Sequence, residues 1–354
     1  MGLTSPGSDS LRASRRSRRG LCVLLAASVI APFASAGAAE PRPFYVGKTV
    51  TIVVGLPPGG GADAYARLVQ RHYPRHIPGR PAIVVQNVPG AGSLRAVTYL
   101  TANMPADGTA LGTFSSALIN EALIAPNRVA VDFRSYGWIG NVSEDVRVCY
   151  VWGGSGVGTW RDALARDKDL FMGATAPGTA GNADTAMLQN LFGVKLKQVQ
   201  GYSGSADKRL AVERGEIDGE CGGWTSVPDD WLRDKKINVL VRLSPTLVPG
   251  MDAAVPFGGD LVRNAGERQV YDFLTAPERL GRLFMVSGKV PTERVTILRR
   301  AFDAMVADPQ FRAEAERVKL LVTPMTGDEV ARRIADLYAT PADVVTKAKA
   351  ILGE

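Results

Sequence analysis

Thr49-Val50-Thr51-Ile52-Val53-Val54-Gly55-Leu56-Pro57-Pro58-Gly59-Gly60-Gly61-Ala62-Asp63 is the stretch that decides the fold. Its first six residues are rich in β-branched side chains and carry no polar interruption beyond threonine, the composition of a strand buried on both faces. The prolines and glycines stop that strand. Tyr65, Leu68, Val69 and His72 then fall on one face of a helix that Pro74 ends. A second buried strand is predicted over 82–86, then another glycine loop, Pro89-Gly90-Ala91-Gly92-Ser93, a helix over 96–102 and a strand over 111–114. Strands and helices alternating in this way predict a parallel sheet with helices on both faces.

Farther along, the grammar returns. Strands are predicted over 146–152, 170–174 and 237–243, with helices over 159–165, 183–192 and 205–214. A third glycine loop, Thr175-Ala176-Pro177-Gly178-Thr179-Ala180-Gly181, precedes Asn182, and Gly215 is a natural C-cap. The last hundred residues read as mainly helical, over 293–306, 309–318, 327–338 and 341–352. No low-complexity linker separates the halves. The expected architecture is therefore α/β, with two lobes joined by strands that cross between them. Residues 40–146 plus 248–354 would form lobe 1, and residues 147–247 lobe 2.

The N-terminus has a different composition. Arg12, Arg15, Arg16, Arg18 and Arg19 precede an apolar run from Leu21 to Phe33, and Ala34-Ser35-Ala36 follows. Basic, apolar and small-x-small in that order is a secretory signal, too short in its apolar part to span a bilayer, so residues 1–36 are expected to be cleaved. The general secretory route is expected, although Ser17-Arg18-Arg19 loosely resembles a twin-arginine signal. Cys22 begins the apolar run and does not end it, which argues against a lipoprotein site. The whole chain has 42 basic and 35 acidic residues; without the five arginines and Asp9 of the signal, 37 and 34 remain, a net of +3. That balance gives no electrostatic footprint for nucleic acid. Two cysteines, Cys149 and Cys221, survive processing. In an oxidising compartment an even pair invites a disulfide; two buried free thiols are the alternative.

The three glycine loops carry the chemistry. Each lies where a strand gives way to a helix, so free N–H groups and the positive end of a helix dipole converge on one place, a ready anion site. Neither 56–63 nor 175–182 contains Lys or Arg, so an anion there would rest on backbone amides and on hydroxyls such as Thr175 and Thr179. Gly178 and Gly181 would permit close approach or left-handed backbone geometry. A Walker A reading fails because Gly61-Ala62 stands where Lys-Ser/Thr is required. A dinucleotide reading fails because Gln86-Asn87 stands where an acidic residue should meet the ribose. His72 and His76 have metal-ligand spacing but are separated by Pro74, so one core-facing and one surface histidine are expected, with no metal and no cofactor. Gly201-Tyr202-Ser203-Gly204-Ser205 begins like a nucleophile elbow but lacks the final glycine and any downstream histidine, and Gly153-Gly154-Ser155-Gly156-Val157 fails similarly. No catalytic residues are expected.

Residues 53–68 with their Pro-Pro-Gly-Gly-Gly-Ala-Asp run resemble the opening of the substrate-binding proteins of tripartite tricarboxylate transporters, the Bug or TctC family. Gln86-Asn87-Val88-Pro89-Gly90-Ala91-Gly92-Ser93 is similar to that family's second signature. Gly201-Tyr202-Ser203-Gly204-Ser205-Ala206 with Glu213-Arg214-Gly215-Glu216-Ile217-Asp218 is similar to its fourth block. The resemblance runs from about Phe44 to the C-terminus. It implies a periplasmic binding protein fold with ligand in the cleft between lobes, and a monomeric receptor that delivers a small carboxylate to membrane transporter subunits. It implies ligand contacts at Pro57, Gly59, Gly60, Gly61 and Asp63, and at Thr175, Ala176, Gly178, Thr179, Ala180, Gly181 and Asn182. Ser115, Ser116 and Tyr202 match further cleft positions, and Trp224 lies near the return strand. Gly55 and Leu56 replace an aromatic residue usual before the proline, so a differently shaped pocket floor is expected. Two other classes fit a two-lobed exported chain: a sensor subunit presenting ligand to a membrane kinase, and a secreted hydrolase or isomerase.

Overall fold

The computed structural model describes residues 42–353, and the segment read as a signal, with Cys22, lies outside the described residues. The chain begins with β1 (Thr49–Val54), β2 (Ala82–Asn87), β3 (Ala110–Thr113) and β4 (Gly137–Asn141). It then crosses to β5 (Arg147–Trp152), β6 (Leu170–Gly173), β7 (Leu196–Val199), β8 (Gly219–Gly223) and β9 (Ile237–Arg242), and returns with β10 (Leu283–Val286) and β11 (Met325–Thr326). One sheet has the order β11-β4-β10-β3-β1-β2 and the other the order β7-β6-β8-β5-β9.

The strand–helix alternation predicts a parallel sheet, but neither sheet is purely parallel. β1, β2 and β3 pair in parallel, but β10 runs against both β3 and β4, and β11 runs against β4. In the second sheet β6 is parallel to β7 and β8, while β5 runs against β8 and β9. The first strand after each crossing, β5 or β10, is thus inserted antiparallel, which no local pattern announces. Residues 142–146 make the outward crossing in close company: Asp145 N–H donates to Glu278 O at 2.7 Å, and a Cβ at Gly281 would stand 2.3 Å from Asp145 N. Only glycine fits at 281.

The helix Gly61–His72 buries Tyr65, Leu68 and Val69 on the first sheet, where they meet Val50, Ile52 and Val54. Each such side chain contributes on the order of 2 kcal/mol by leaving water. The C-terminal helices form as expected, at Thr292–Ala307, Pro309–Arg317, Gly327–Tyr338 and Ala342–Leu352. His72 is buried edge-on to Phe311 with Nε2 2.5 Å from Glu314, and His76 Nε2 is 3.1 Å from Asp308. His72 fastens the first helix to Pro309–Arg317, and His76 ties the 3-10 turn Tyr73–His76 to Asp308, the N-cap of that helix. Among the described residues no helix is long and apolar enough to cross a membrane.

Cys149 and Cys221 are bonded. Cys221 sits within β8, directly opposite Cys149 on β5, with 4.0 Å between the Cα atoms.

Candidate functional site

The residues that follow β1, β2 and β3 in one sheet, and β6, β7 and β8 in the other, line a single cavity of about 430 Å³. Carboxyl ends of strands are where an α/β fold leaves helix N-termini and irregular loops together. The helices Gly61–His72, Leu94–Ala102, Ala117–Ile124, Ala180–Asn190 and Ser205–Glu213 all begin at this cavity. Loops from the two sides also touch. A Cβ at Gly204 would lie 3.6 Å from Pro57 Cγ, and one at Gly92 would lie 3.3 Å from Gly178 O.

The first-sheet loops are tied to one another by Ser93. Its Oγ donates to Gly55 O at 2.9 Å and accepts from Ser115 N at 3.1 Å. A Cβ at Gly55 would be 2.7 Å from that of Ser93, which explains glycine at this position.

Of the positions singled out in the sequence, Pro57, Gly61, Ser115, Ser116, Thr175, Ala176, Gly178, Thr179, Ala180, Gly181, Asn182 and Tyr202 line the cavity. Gly59, Gly60, Asp63 and Trp224 do not. Trp224 is buried in an apolar cluster with Val146, Val227 and Trp231. Gly59 turns the loop with φ +80°, and its N–H donates to Asp63 Oδ2 at 3.0 Å. Asp63 also accepts from Arg67 Nε at 2.9 Å and from Asn87 Nδ2 at 3.0 Å. Burial alone would raise its pKa; the hydrogen bonds from Arg67, Gly59 and Asn87 hold it below the usual carboxylate range. Asp63 is therefore the brace of the loop. Asp63→Ala leaves three donors unanswered and should lower the unfolding free energy by about 2 kcal/mol. Denaturant titration checks this, and a loss under about 0.5 kcal/mol, within the range of neutral surface substitutions, would refute the bracing role.

In the opposite loop Thr175 Oγ1 donates to Thr179 Oγ1 at 2.7 Å, and Thr179 Oγ1 donates to Ala176 O at 2.7 Å. Both hydroxyl protons, expected from the sequence to face an anion, are occupied inside the loop. The N–H groups of Ala180, Gly181 and Asn182 belong to the first turn of Ala180–Asn190, which a helix leaves without internal partners. Gly178 is left-handed at φ +78°, and a Cβ there would meet Glu121 Cδ at 3.0 Å. Gly181 serves close approach instead, with Cys221 O 3.2 Å from the place of a Cβ.

The sequence did not disclose the charged wall. Arg147, Arg282, Lys208, Asp145, Asp184 and Glu278 all line the cavity. Arg147 donates from Nε to Asp184 Oδ2 at 2.7 Å and from Nη1 to Asp145 Oδ2 at 3.2 Å, and lies 3.6 Å from Glu278 Oε1. Arg282 Nη2 donates to Asp145 Oδ1 at 2.7 Å. Lys208 Nζ is 2.5 Å from Glu220 Oε2 and donates to Cys221 O at 3.1 Å. Burial would raise the Asp145 pKa, but Arg282 and Arg147 hold it low. Burial, reinforced by the neighbouring Asp184, pushes Glu278 well above the glutamate range. Arg147 is thus paired with Asp184 and Asp145, Arg282 with Asp145, and Lys208 with Glu220. Chemically, the first-turn N–H groups of Ala180–Asn190 can hold an oxyanion.

No protein-family model matches the chain, and no curated protein does. Solved structures do match. The periplasmic binding protein BugD superposes with a TM-score of 0.69 at 18% identity, covering 85% of this chain and 97% of its own. An R. palustris protein solved with adipate gives 0.67 at 19% identity, covering 86% and 97%. MatC from Rhodopseudomonas palustris with bound malate gives 0.66 at 18% identity, covering 84% and 99%. The chain has the fold of these periplasmic binding proteins.

Proposed function

We propose that this chain is an exported solute-binding receptor of the Bug or TctC family, which takes a small organic carboxylate into the cavity and passes it to the membrane subunits of a tripartite tricarboxylate transporter. The observation that supports this is the convergence of five helix N-termini from both sheets on one cavity, in a fold shared with proteins solved with adipate and malate. Residues 1–36 are then a cleaved signal and the periplasm is the working compartment. The receptor acts as a monomer that binds without catalysing. Residues 40–146 plus 248–354 and residues 147–247 are its two lobes, meeting around the ligand. One carboxylate rests on the amides of Ala180, Gly181 and Asn182, with Pro57, Gly61, Ser115, Ser116 and Tyr202 closing the cavity around the remainder.

A thermal-shift screen of the mature protein against a carboxylic-acid library tests the reading. An acid at about 100 times its Kd adds about 2.7 kcal/mol to the folded state, enough for a rise of several degrees. If no acid raises the melting temperature, while a sugar or peptide library does, the carboxylate reading is wrong.

A further inference from the structure

We infer that the protein holds a second small-molecule site, behind the wall of the first cavity, that takes an anion with an apolar body. A separate cavity of about 590 Å³ lies among the loop leaving β9, the helix Ala265–Thr275, the turn Ala276–Leu280 and the last two helices. Its size is that of ordinary small-molecule pockets. Pro277 and Gly281 line the first cavity, Ala276, Arg279 and Leu280 line the second, and Glu278 alone is common to both linings. The turn is thus a partition, and the carboxylate receptor makes no use of its far side.

The walls of this cavity are fixed by bonds that need no occupant. The buried Tyr271 donates from its hydroxyl to Leu243 O at 2.6 Å. Arg242 donates from Nη1 to Ser244 O at 3.0 Å and to Pro245 O at 2.8 Å, with its guanidinium 5.1 Å from the centre of the Phe257 ring. The loop leaving β9 is thereby held beside Phe257 and Tyr271, whose rings meet edge to face at 5.9 Å. With Phe273, Leu280, Leu337 and Val344, these side chains give the cavity an apolar lining. A preformed apolar concavity gains from an apolar occupant with little cost in ordering its walls.

Charge in the lining sets the sign of the ligand. Arg268 donates from Nε to Asp272 Oδ1 at 2.9 Å and from Nη1 to Gly259 O at 3.2 Å. Arg279 and Arg333 also line the cavity, and neither guanidinium has a hydrogen bond or an ion pair among the described residues. Arg333 acts on Glu329 only at a distance, and that carboxylate accepts from Thr326 N and Oγ1, each at 2.8 Å, in the cap of its helix. Against these two arginines stands one acid of the lining without a partner, Asp336. The surplus is cationic, and a planar acid group matches the paired donors of a guanidinium.

Calorimetry with 2-naphthoate and with its neutral amide, 2-naphthamide, tests the site. The wild-type protein should bind one equivalent of naphthoate that Gln269→Trp loses. Gln269 is an exposed lining residue with no side-chain partner, so an indole there obstructs the cavity and leaves the core undisturbed. At that site naphthamide should bind about fivefold more weakly than naphthoate, the scale of two exposed ion pairs. Arg279→Ala combined with Arg333→Ala should bring the two compounds to equal affinity. Equal affinity already in the wild-type protein, or a preference for naphthoate that survives the double variant, would overturn the anion assignment. Naphthoate bound by Gln269→Trp with the wild-type stoichiometry and affinity, or not bound by the wild-type protein at all, would overturn the site. The receptor reading is judged apart from this, because the melting temperature of Gln269→Trp should still rise with the small acids that raise that of the wild type.

Discussion

Replacing Arg147 with leucine is expected to lower the unfolding free energy at pH 7 by about 3–5 kcal/mol, the range for breaking a buried ion pair from one side. The guanidinium answers Asp184, Asp145 and Glu278 together, and its own side chain is 8% exposed. Without it Asp184 is left as a buried charge with no cation of its own, while Asp145 keeps only Arg282. The melting temperature should drop on the order of 10 °C. Lowering the pH should recover part of the loss, because protonating Asp184 removes the uncompensated charge. In the wild-type protein the same cluster pulls in two directions. Asp145, whose pKa is depressed, contributes stability that is lost as pH falls through its folded value. Glu278, whose pKa is elevated, contributes stability that is complete below the ordinary glutamate range and is lost as pH rises through its folded value. Melting curves of wild type and Arg147→Leu between pH 5 and 8, the interval around the usual stability maximum, measure both effects. A variant within about 1 kcal/mol of wild type at pH 7, an ordinary single-substitution effect, would mean that the three acids find other partners and the cluster is not organised by Arg147.

The first α/β unit was legible because its strand is a run of β-branched residues and its helix has a one-sided apolar face. The same criteria fail for β4, Gly-Trp-Ile-Gly-Asn, and for β8, Gly-Glu-Cys-Gly-Gly, whose glycines read as loop. Those glycines answer a tertiary demand instead. A Cβ at Gly140 would stand 2.4 Å from Phe302, and one at Gly219 would stand 2.1 Å from Tyr150 O. β10, Leu-Phe-Met-Val, is too short an apolar run to distinguish from helix by period. The loops of the candidate site were legible for a related reason, since proline and glycine at strand ends are local signals. The charged wall was not. Asp145 and Arg282 are 137 positions apart, and Arg147 and Asp184 are 37 apart, so no spacing rule brings them together. The glycine loops themselves carry no Lys or Arg, and the fold brings cations to the cavity from the start of β5, the residue before β10 and the helix Ser205–Glu213.

Removing the disulfide with Cys149→Ala and Cys221→Ala together should cost about 4 kcal/mol, by the chain-entropy model for a long closed loop. The bond joins positions 72 residues apart, and that interval contains β6, β7 and the helices between them, which the cross-link keeps near their native neighbours even when unfolded. Both half-cystines are fully buried, in register on β5 and β8, so reductant added to the folded protein should leave the bond intact until unfolding exposes the sulfurs. A second consequence lies at the cavity. Cys221 O holds Lys208, and Gly222 and Gly223, the next two residues of β8, line the wall. Loosening the β5–β8 pair should therefore weaken ligand binding as well as lower the melting temperature by on the order of 10 °C. The double variant melting within about 2 °C of the oxidised wild type would show that β5 and β8 are held by their hydrogen-bonded register alone and that the cross-link adds little. A large drop in melting temperature with unchanged affinity would locate the effect in the unfolded chain and free the cavity from it.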